Sequence, residues 1–268
     1  MSLKTELIYL FNRVLRFLYV SALTILFFED DAFATYFFAE GLIPFSTIIA
    51  MKFKFLSGVA LVAALILLVL INNSIYYLPA ILIILVLTEG VTGTRYFAVN
   101  RLHNILVDFI HSIILSIALC YFFIFIDGNL INFLTFVLLV SCMRLIYFLI
   151  LTRNENISHG VKPIFSTVYR LSVSQLMRIV LVSPNSSEWF VIAFRMLNQI
   201  ILYLWSFIKT NHDFELPNII RHDYLKLNWI PPLLLILFLV AFIYIDNIPC
   251  IFVFYTVLLC YFLLRETN

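Results

Sequence analysis

The lysines and arginines between the long apolar segments of this chain are confined to every second connection. Apolar runs recur from end to end, in a sequence that is 63% hydrophobic and only 12% charged. A helix of roughly 20 apolar residues crosses a bilayer, and positively charged connections stay in the cytoplasm. The alternation therefore predicts a multi-pass helical membrane protein with both termini in the cytoplasm.

The apolar runs predict ten membrane-spanning helices. Their expected bounds are 6–28, 32–51, 56–71, 76–94, 104–126, 130–151, 164–183, 189–208, 229–245 and 248–264. The connections expected outside are short and lack Lys and Arg: Glu29 to Asp31, Asn72 to Ser74, Asp127 to Asn129, Ser183 to Glu188, and Asp246 to Asn247. The cations expected inside are Lys4, Lys52, Lys54, Arg95, Arg101, Arg153, Lys162, Lys209, Arg221, Lys226 and Arg265.

A polar connection after the sixth span divides the chain. We predict an all-α, two-lobed bundle with a six-helix lobe over 1–152, a cytoplasmic linker over 153–163 and a shortened four-helix lobe over 164–268. A weak internal repeat supports this division, because the first two spans resemble the seventh and eighth and place Glu40 opposite Arg195. The alternative is that the repeat has no significance, because helical hairpins of all multi-pass proteins show a likeness this weak.

Several polar side chains lie inside the predicted spans, where an Arg or Asp at a helix centre costs roughly 2.5–3.5 kcal/mol. Each therefore needs a polar cavity or a partner. These residues are Asn12, Arg13 and Arg16 in the first span, Glu40 in the second, Glu89 in the fourth, Asn104, Asp108, His111 and Ser112 in the fifth, Arg144 in the sixth, Arg170, Ser174 and Arg178 in the seventh, and Arg195, Asn198 and Gln199 in the eighth.

One interpretation is a water-filled basic lumen, built by the first, second, seventh and eighth spans, that binds an anionic substrate. Arginine suits phosphate because its planar fork donates two parallel hydrogen bonds. The alternative is snorkelling, for Arg13 and Arg144, together with ion pairs such as Glu40 with Arg16 or Arg195. Asp108 and His111 form either a proton relay or a hydrogen-bonded pair. The candidate substrate-binding residues are Arg16, Arg178, Arg195, Glu40, Asn12 and Arg170.

The layout resembles the polysaccharide (O-antigen-type) flippases of the multidrug/oligosaccharidyl-lipid/polysaccharide exporter superfamily. The likeness is carried by Asn12-Arg13-Val14-Leu15-Arg16, by the first outer turn over 29–36, by 98–108 and by 187–195. It covers most of residues 1–210. Members of the family have two six-helix lobes and usually a Gly where this chain has Ala34, so the chain resembles a shortened member.

The resemblance implies a transporter rather than an enzyme. It would move a lipid-linked (undecaprenyl-diphosphate) oligosaccharide across the bacterial inner membrane for surface polysaccharide assembly, as its lobes rock between inward and outward openings. Arg16, Arg178 and Arg195 would contact the diphosphate and acidic sugars. The expected partners are the lipid bilayer, the anionic lipid-linked glycan and other polysaccharide-assembly proteins, with no nucleic acid and no cofactor.

Two other functions stay open on sequence grounds. A membrane-embedded glycan polymerase or acyltransferase generally needs a sizeable outer loop, whereas the longest outer connection here, Ser183 to Glu188, has six residues. A non-transporting membrane scaffold is less consistent with the embedded charges. The chain has no Walker loop, zinc motif or nucleophile elbow. Its four cysteines lack metal-ligand spacing, so no metal site is expected.

Overall fold

The structure is a computed structural model that describes residues 3–70, 74–96, 101–125, 129–153, 165–182, 186–210, 230–244 and 247–267. These residues form ten α-helices and no β-strand. The helices are α1 (Leu3–Phe27), α2 (Asp31–Lys52), α3 (Lys54–Leu70), α4 (Ser74–Tyr96), α5 (Arg101–Phe125), α6 (Leu130–Leu151), α7 (Phe165–Leu181), α8 (Glu188–Thr210), α9 (Ile230–Tyr244) and α10 (Ile248–Thr267).

The all-α class is confirmed, and each helix coincides with one predicted span to within a few residues. Five helices are long and apolar enough to cross a membrane, over Leu7–Phe27, Asp31–Lys52, Tyr76–Arg95, His103–Ile124 and Leu130–Leu151. Three shorter apolar helices cover Phe55–Leu68, Ile230–Ala241 and Ile248–Leu263. This set of helices is compatible with a membrane protein.

Two of the short connections begin the next helix with a side-chain cap. Asp30 accepts a hydrogen bond from the backbone N–H of Ala32 at 2.8 Å, and Asn129 accepts one from that of Ile131, also at 2.8 Å. Such caps satisfy backbone donors that have no partner within the first helical turn. The acidic and amide residues of these connections therefore define where α2 and α6 start.

Large apolar side chains cover much of the outer surface. Phe55, Leu70 and Ile150 are 85%, 69% and 71% exposed. A protein in water rarely presents contiguous apolar patches larger than a few hundred Å², because each Å² of apolar surface left in water costs roughly 25 cal/mol. These exposed side chains suit contact with lipid chains.

The chain divides into two compact units, Met1–Val161 and Lys162–Asn268. The boundary falls in the predicted linker, of which residues 154–163 lie outside the described part of the chain. Unit 1 contains α1 to α6. Helix α4 packs on α2, α3 and α6, while α1 packs on α5 and α5 on α6. Phe133 of α6 joins these layers, with its ring 6.3 Å from that of Tyr19 and 5.9 Å from that of Phe122.

Unit 2 contains α7 to α10, with α10 in contact with α7, α8 and α9. Aromatic pairs hold these helices together. The ring centroids of Phe194 and Tyr255 are 5.3 Å apart, and those of Tyr169 and Phe262 are 6.3 Å apart. Tyr255, Phe194 and Phe262 are almost fully buried. Helix α10 therefore forms the core of unit 2.

Candidate functional site

Most of the embedded polar residues of unit 1 line one cavity of about 110 Å³. Helical spacing brings them there, because residues three or four positions apart share a helix face. Arg16 and Tyr19 reach the wall from α1, Tyr36 and Glu40 from α2, Leu85 and Glu89 from α4, Asp108, His111 and Ser112 from α5, and Ser141 and Arg144 from α6. Five helices thus each contribute a short stripe to the same polar space.

Arg144 is the centre of the charged groups on this wall. Its Nη2 lies 2.8 Å from Glu89 Oε2, and its Nη1 lies 3.3 Å from Asp108 Oδ1. The same Nη1 is 3.5 Å from His111 Nδ1, near the limit for a hydrogen bond. The Arg144 and Glu89 side chains are 14% and 15% exposed. Ion pairing, rather than snorkelling to the interface, therefore accounts for Arg144.

Four buried polar atoms on the wall have no hydrogen-bond partner among the described residues: Glu89 Oε1, Ser141 Oγ, His111 Nε2 and Arg144 Nε. The Ser141 hydroxyl lies beside the Glu89 carboxylate and interacts with it without good hydrogen-bond geometry. Leaving a buried donor or acceptor unsatisfied costs about 1–3 kcal/mol. A polar ligand or water in the cavity would remove that cost.

Asn12 and Arg16 occupy different positions relative to this cavity. Asn12 is buried between α1 and α5, where its Oδ1 lies 3.0 Å from the Ser112 hydroxyl. That hydroxyl is also 2.8 Å from the Asp108 carbonyl, so its one proton is shared between two acceptors. Arg16 is exposed and lines the cavity, and its charge interacts with those of Glu89 and His111. Asn12 is therefore a contact between helices, whereas Arg16 is open to a ligand.

Unit 2 contains a second polar cluster, centred on the buried Tyr255. The Tyr255 hydroxyl donates a hydrogen bond to Asn198 Oδ1 at 2.6 Å, and Asn198 Nδ2 donates to the Phe194 carbonyl at 2.8 Å. Ser174 is a further hydrogen-bond neighbour of Tyr255. These contacts fix the polar faces of α7, α8 and α10 against one another.

Arginines of α7 adjoin this cluster. Arg170 and Arg178 both interact electrostatically with Tyr255. The Arg178 guanidinium also lies over the Phe194 ring, 5.6 Å from its centroid, a cation–π arrangement. Arg195 of α8 is 5% exposed. Unit 2 therefore has three arginines on the neighbouring helices α7 and α8, two of which interact electrostatically with Tyr255.

Comparison with protein-family models, curated proteins and solved structures finds no match to this chain.

The structure brings some of the predicted site residues together. Arg16 and Glu40 share the wall of the unit 1 cavity, and Arg170 and Arg178 share the Tyr255 cluster. The common lumen of the first, second, seventh and eighth spans would join residues from both units, and it stays a prediction. Asp108 and His111 are linked through Arg144 Nη1, which lies within 3.5 Å of both.

Other residues of these clusters were not singled out from the sequence. Tyr255 lies in an apolar helix whose aromatic residues all look alike, so only its contact with Asn198 distinguishes it. Ser141 and Tyr36 are similarly ordinary in sequence. Among the described residues, no group of three or more His, Cys, Asp or Glu side chains is arranged to hold a metal ion.

Proposed function

We propose that this protein is a flippase-like transporter that moves a lipid-linked (undecaprenyl-diphosphate) oligosaccharide across the bacterial inner membrane for surface polysaccharide assembly. The observation that carries the proposal is a charged cavity within a group of membrane-length apolar helices. Each embedded charge costs a few kcal/mol to insert, and charges at such depth are usually functional. A polar path for a hydrophilic headgroup accounts for that cost.

The arginines of unit 2 suit the diphosphate in this scheme. Arg170 and Arg178 interact electrostatically with Tyr255, and Arg195 is on the neighbouring helix. Guanidinium groups donate charge-assisted, often bidentate hydrogen bonds to phosphate, which are roughly twice as strong as neutral ones. The lipid chain would remain in the bilayer while the headgroup crosses.

The proposal includes a topology. All ten helices span the membrane, both termini are cytoplasmic, and the two lobes each contribute polar groups to the transport path. The sided distribution of Lys and Arg supports this arrangement. The shorter helices, such as α9 with its 15 residues, would be accommodated by local thinning of the bilayer.

The test is transport by the full chain reconstituted in proteoliposomes. An undecaprenyl-diphosphate oligosaccharide is incorporated, and its appearance on the opposite leaflet is followed with a membrane-impermeant glycosidase. We expect wild-type protein to speed this movement, and Arg178→Ala to slow it by about tenfold or more, as expected for loss of a charge-assisted hydrogen bond. The control is Arg153→Ala, which removes an exposed cation after α6.

Complementation gives an independent measurement. A strain lacking the gene is compared with strains that express wild type, Arg16→Ala, Arg178→Ala or Arg153→Ala at matched levels. Restoration of surface polysaccharide by wild type and Arg153→Ala, but not by the other two variants, would support the proposal. Unchanged surface glycans in the deletion strain, together with no movement in proteoliposomes, would exclude it and favour a non-transporting protein.

A further inference from the structure

We infer that an apolar groove between α2 and α4 binds the prenyl chain of the lipid-linked substrate. The inference rests on the proposed function and adds a site for the apolar part of the same molecule. The groove and the polar cavity of unit 1 are lined by different faces of these two helices. Together they match a molecule that has a hydrophilic head and a long apolar chain.

The groove has a volume of about 280 Å³ and an apolar lining. Its walls include Thr35, Phe38 and Leu42 of α2 and Pro79 and Ile83 of α4. Among the described lining residues, only Thr35 has a polar side chain. Phe38 and Ile83 are 39% and 57% exposed, so the groove opens at the outer surface of unit 1. Because both helices are long and apolar enough to cross a membrane, this opening faces lipid chains in the proposed topology.

The groove follows from the way in which α2 and α4 cross. A Cβ on Gly90 would meet the Ser46 hydroxyl, so the two backbones are nearly in contact at that point. The groove lies before this crossing on both helices, over 35–42 of α2 and 79–87 of α4. Helices that cross at an angle diverge away from the point of contact, and a side chain as small as Ala39 leaves the space between them open.

The same stretches of α2 and α4 also line the polar cavity. Glu40 lines the cavity, whereas Phe38 and Leu42, two positions to either side of it, line the groove. Residues two positions apart point roughly 200° away from each other around a helix. Helix α4 is divided in the same way, with Glu89 on the cavity and Ile83 on the groove. The α2–α4 pair is therefore a wall that is polar on one side and apolar on the other.

A lipid-linked glycan has the same division into a polar and an apolar part. When its head lies in the polar path inside the protein, the beginning of its chain lies at the same level of the bilayer. The groove offers an apolar surface at that level, on the side of the wall that is open to lipid. The head of an ordinary phospholipid stays at the membrane surface instead, so this arrangement favours the chain of the substrate.

Within a bilayer, only close packing can favour one apolar chain over another, because lipid chains are as apolar as the groove itself. The gain comes from van der Waals contacts, which depend on how well the chain fills the space. The groove has room for about nine groups of the size of a water molecule, at roughly 30 Å³ each, or about two isoprene units. The methyl branches of a prenyl chain fill such a short, wide space better than a straight acyl chain does.

The experiment is photo-crosslinking of the full chain in phosphatidylglycerol and phosphatidylethanolamine vesicles. The probe is a prenyl-diphosphate disaccharide with a diazirine on an isoprene unit near the diphosphate, and adducts are located by mass spectrometry. We expect adducts on Phe38, Leu42 and Ile83, and we expect excess unlabelled prenyl-diphosphate disaccharide to suppress them. A phosphatidylglycerol with a diazirine in its acyl chain is the second probe. It should label the exposed Leu56 and Leu67 of α3 as readily as the groove.

A variant that fills the groove tests whether its shape matters. Ile83→Trp should lower the yield of adducts on Phe38 and Leu42 by about fivefold or more, because the larger ring occupies the space of the chain. Ile146→Trp is the matched control, since Ile146 is 55% exposed on α6 and does not line the groove. That variant should give the wild-type yield. Size-exclusion chromatography in detergent checks that both variants are folded.

The outcomes separate this inference from the proposed function. Equal labelling of the groove and of α3 by the prenyl probe, or adducts that unlabelled substrate does not suppress, would overturn the inference and leave the flippase function standing. An unchanged yield in Ile83→Trp would also overturn it, as would cross-links at the groove between two copies of the chain. Adducts confined to the groove, without any movement of the glycan in proteoliposomes, would overturn the transport function alone.

Discussion

Arg144 shows how single residues decide the stability of unit 1. Its guanidinium contacts carboxylates from two other helices, with Glu89 on α4 and Asp108 on α5. A buried pair contributes little net stability because desolvation offsets the attraction, but removing one partner leaves an uncompensated charge. The wall of the cavity therefore depends on all three side chains being present.

Replacing Arg144 with Gln should lower the free energy of unfolding by about 3 kcal/mol, since two carboxylates lose their shared partner. Adding Glu89→Gln to this variant should recover part of the loss. The purified protein is heated in detergent, and the fraction that stays folded at each temperature is measured by size-exclusion chromatography. Arg153→Gln, on an exposed residue, is the control. Equal stability of Arg144→Gln and wild type would contradict the role of the ion pairs.

In unit 2, Tyr255 joins two helices through a buried hydrogen bond, as Arg144 joins helices of unit 1 through ion pairs. Its buried hydroxyl has Asn198 as a partner at 2.6 Å. Tyr255→Phe should lower stability by about 1 kcal/mol, because Asn198 Oδ1 loses its donor inside the helix core. Tyr76→Phe, at a residue that is 61% exposed, is the matched control. The same denaturation assay applies, and an equal effect of the two substitutions would show that the hydrogen bond has no stabilising role.

At the scale of the elements, α2 and α4 approach closely where α4 has glycines. A Cβ on Gly90 would meet the Ser46 hydroxyl and lie 2.9 Å from the Ser46 carbonyl carbon, and one on Gly93 would lie 2.8 Å from Thr47 Cγ2. Small residues at such crossings let membrane helices pack backbone to backbone. This close approach positions Glu40 and Glu89 on the same cavity wall.

Gly90→Ala should therefore destabilise the protein by about 1–3 kcal/mol, because the clash involves backbone that cannot rotate away. Gly58→Ala on α3 provides a matched control, since a Cβ there has no atom within 4 Å. That control should be neutral or slightly stabilising, because Ala has the higher helix propensity. Comparable loss of stability in both variants would mean that the α2–α4 contact is not responsible.

At the scale of the whole molecule, the sided charges predict where each connection lies. Asp31 and Arg153 are both exposed, and the proposed topology puts them on opposite sides of the membrane. In a variant without the native cysteines, Asp31→Cys should react with an impermeant maleimide in intact cells. Arg153→Cys should react only after the membrane is permeabilised. Labelling of both from outside would contradict the proposed topology.

The limits of the ten helices were determined by the sequence itself, because apolar length, charge and capping residues act locally along the chain. The distribution of Lys and Arg among alternate connections is also a property of the sequence alone, so the membrane topology could be predicted without knowing how the helices pack. Which embedded charges meet was decided only by tertiary structure. The pairing of Glu40 with Arg16 or Arg195, which the sequence suggests, stays a prediction. The packing of α4, α5 and α6 places Arg144 between Glu89 and Asp108, a contact that the sequence did not indicate. Such pairing depends on the rotation and approach of whole helices, and close contacts such as Gly90 with Ser46 fix both.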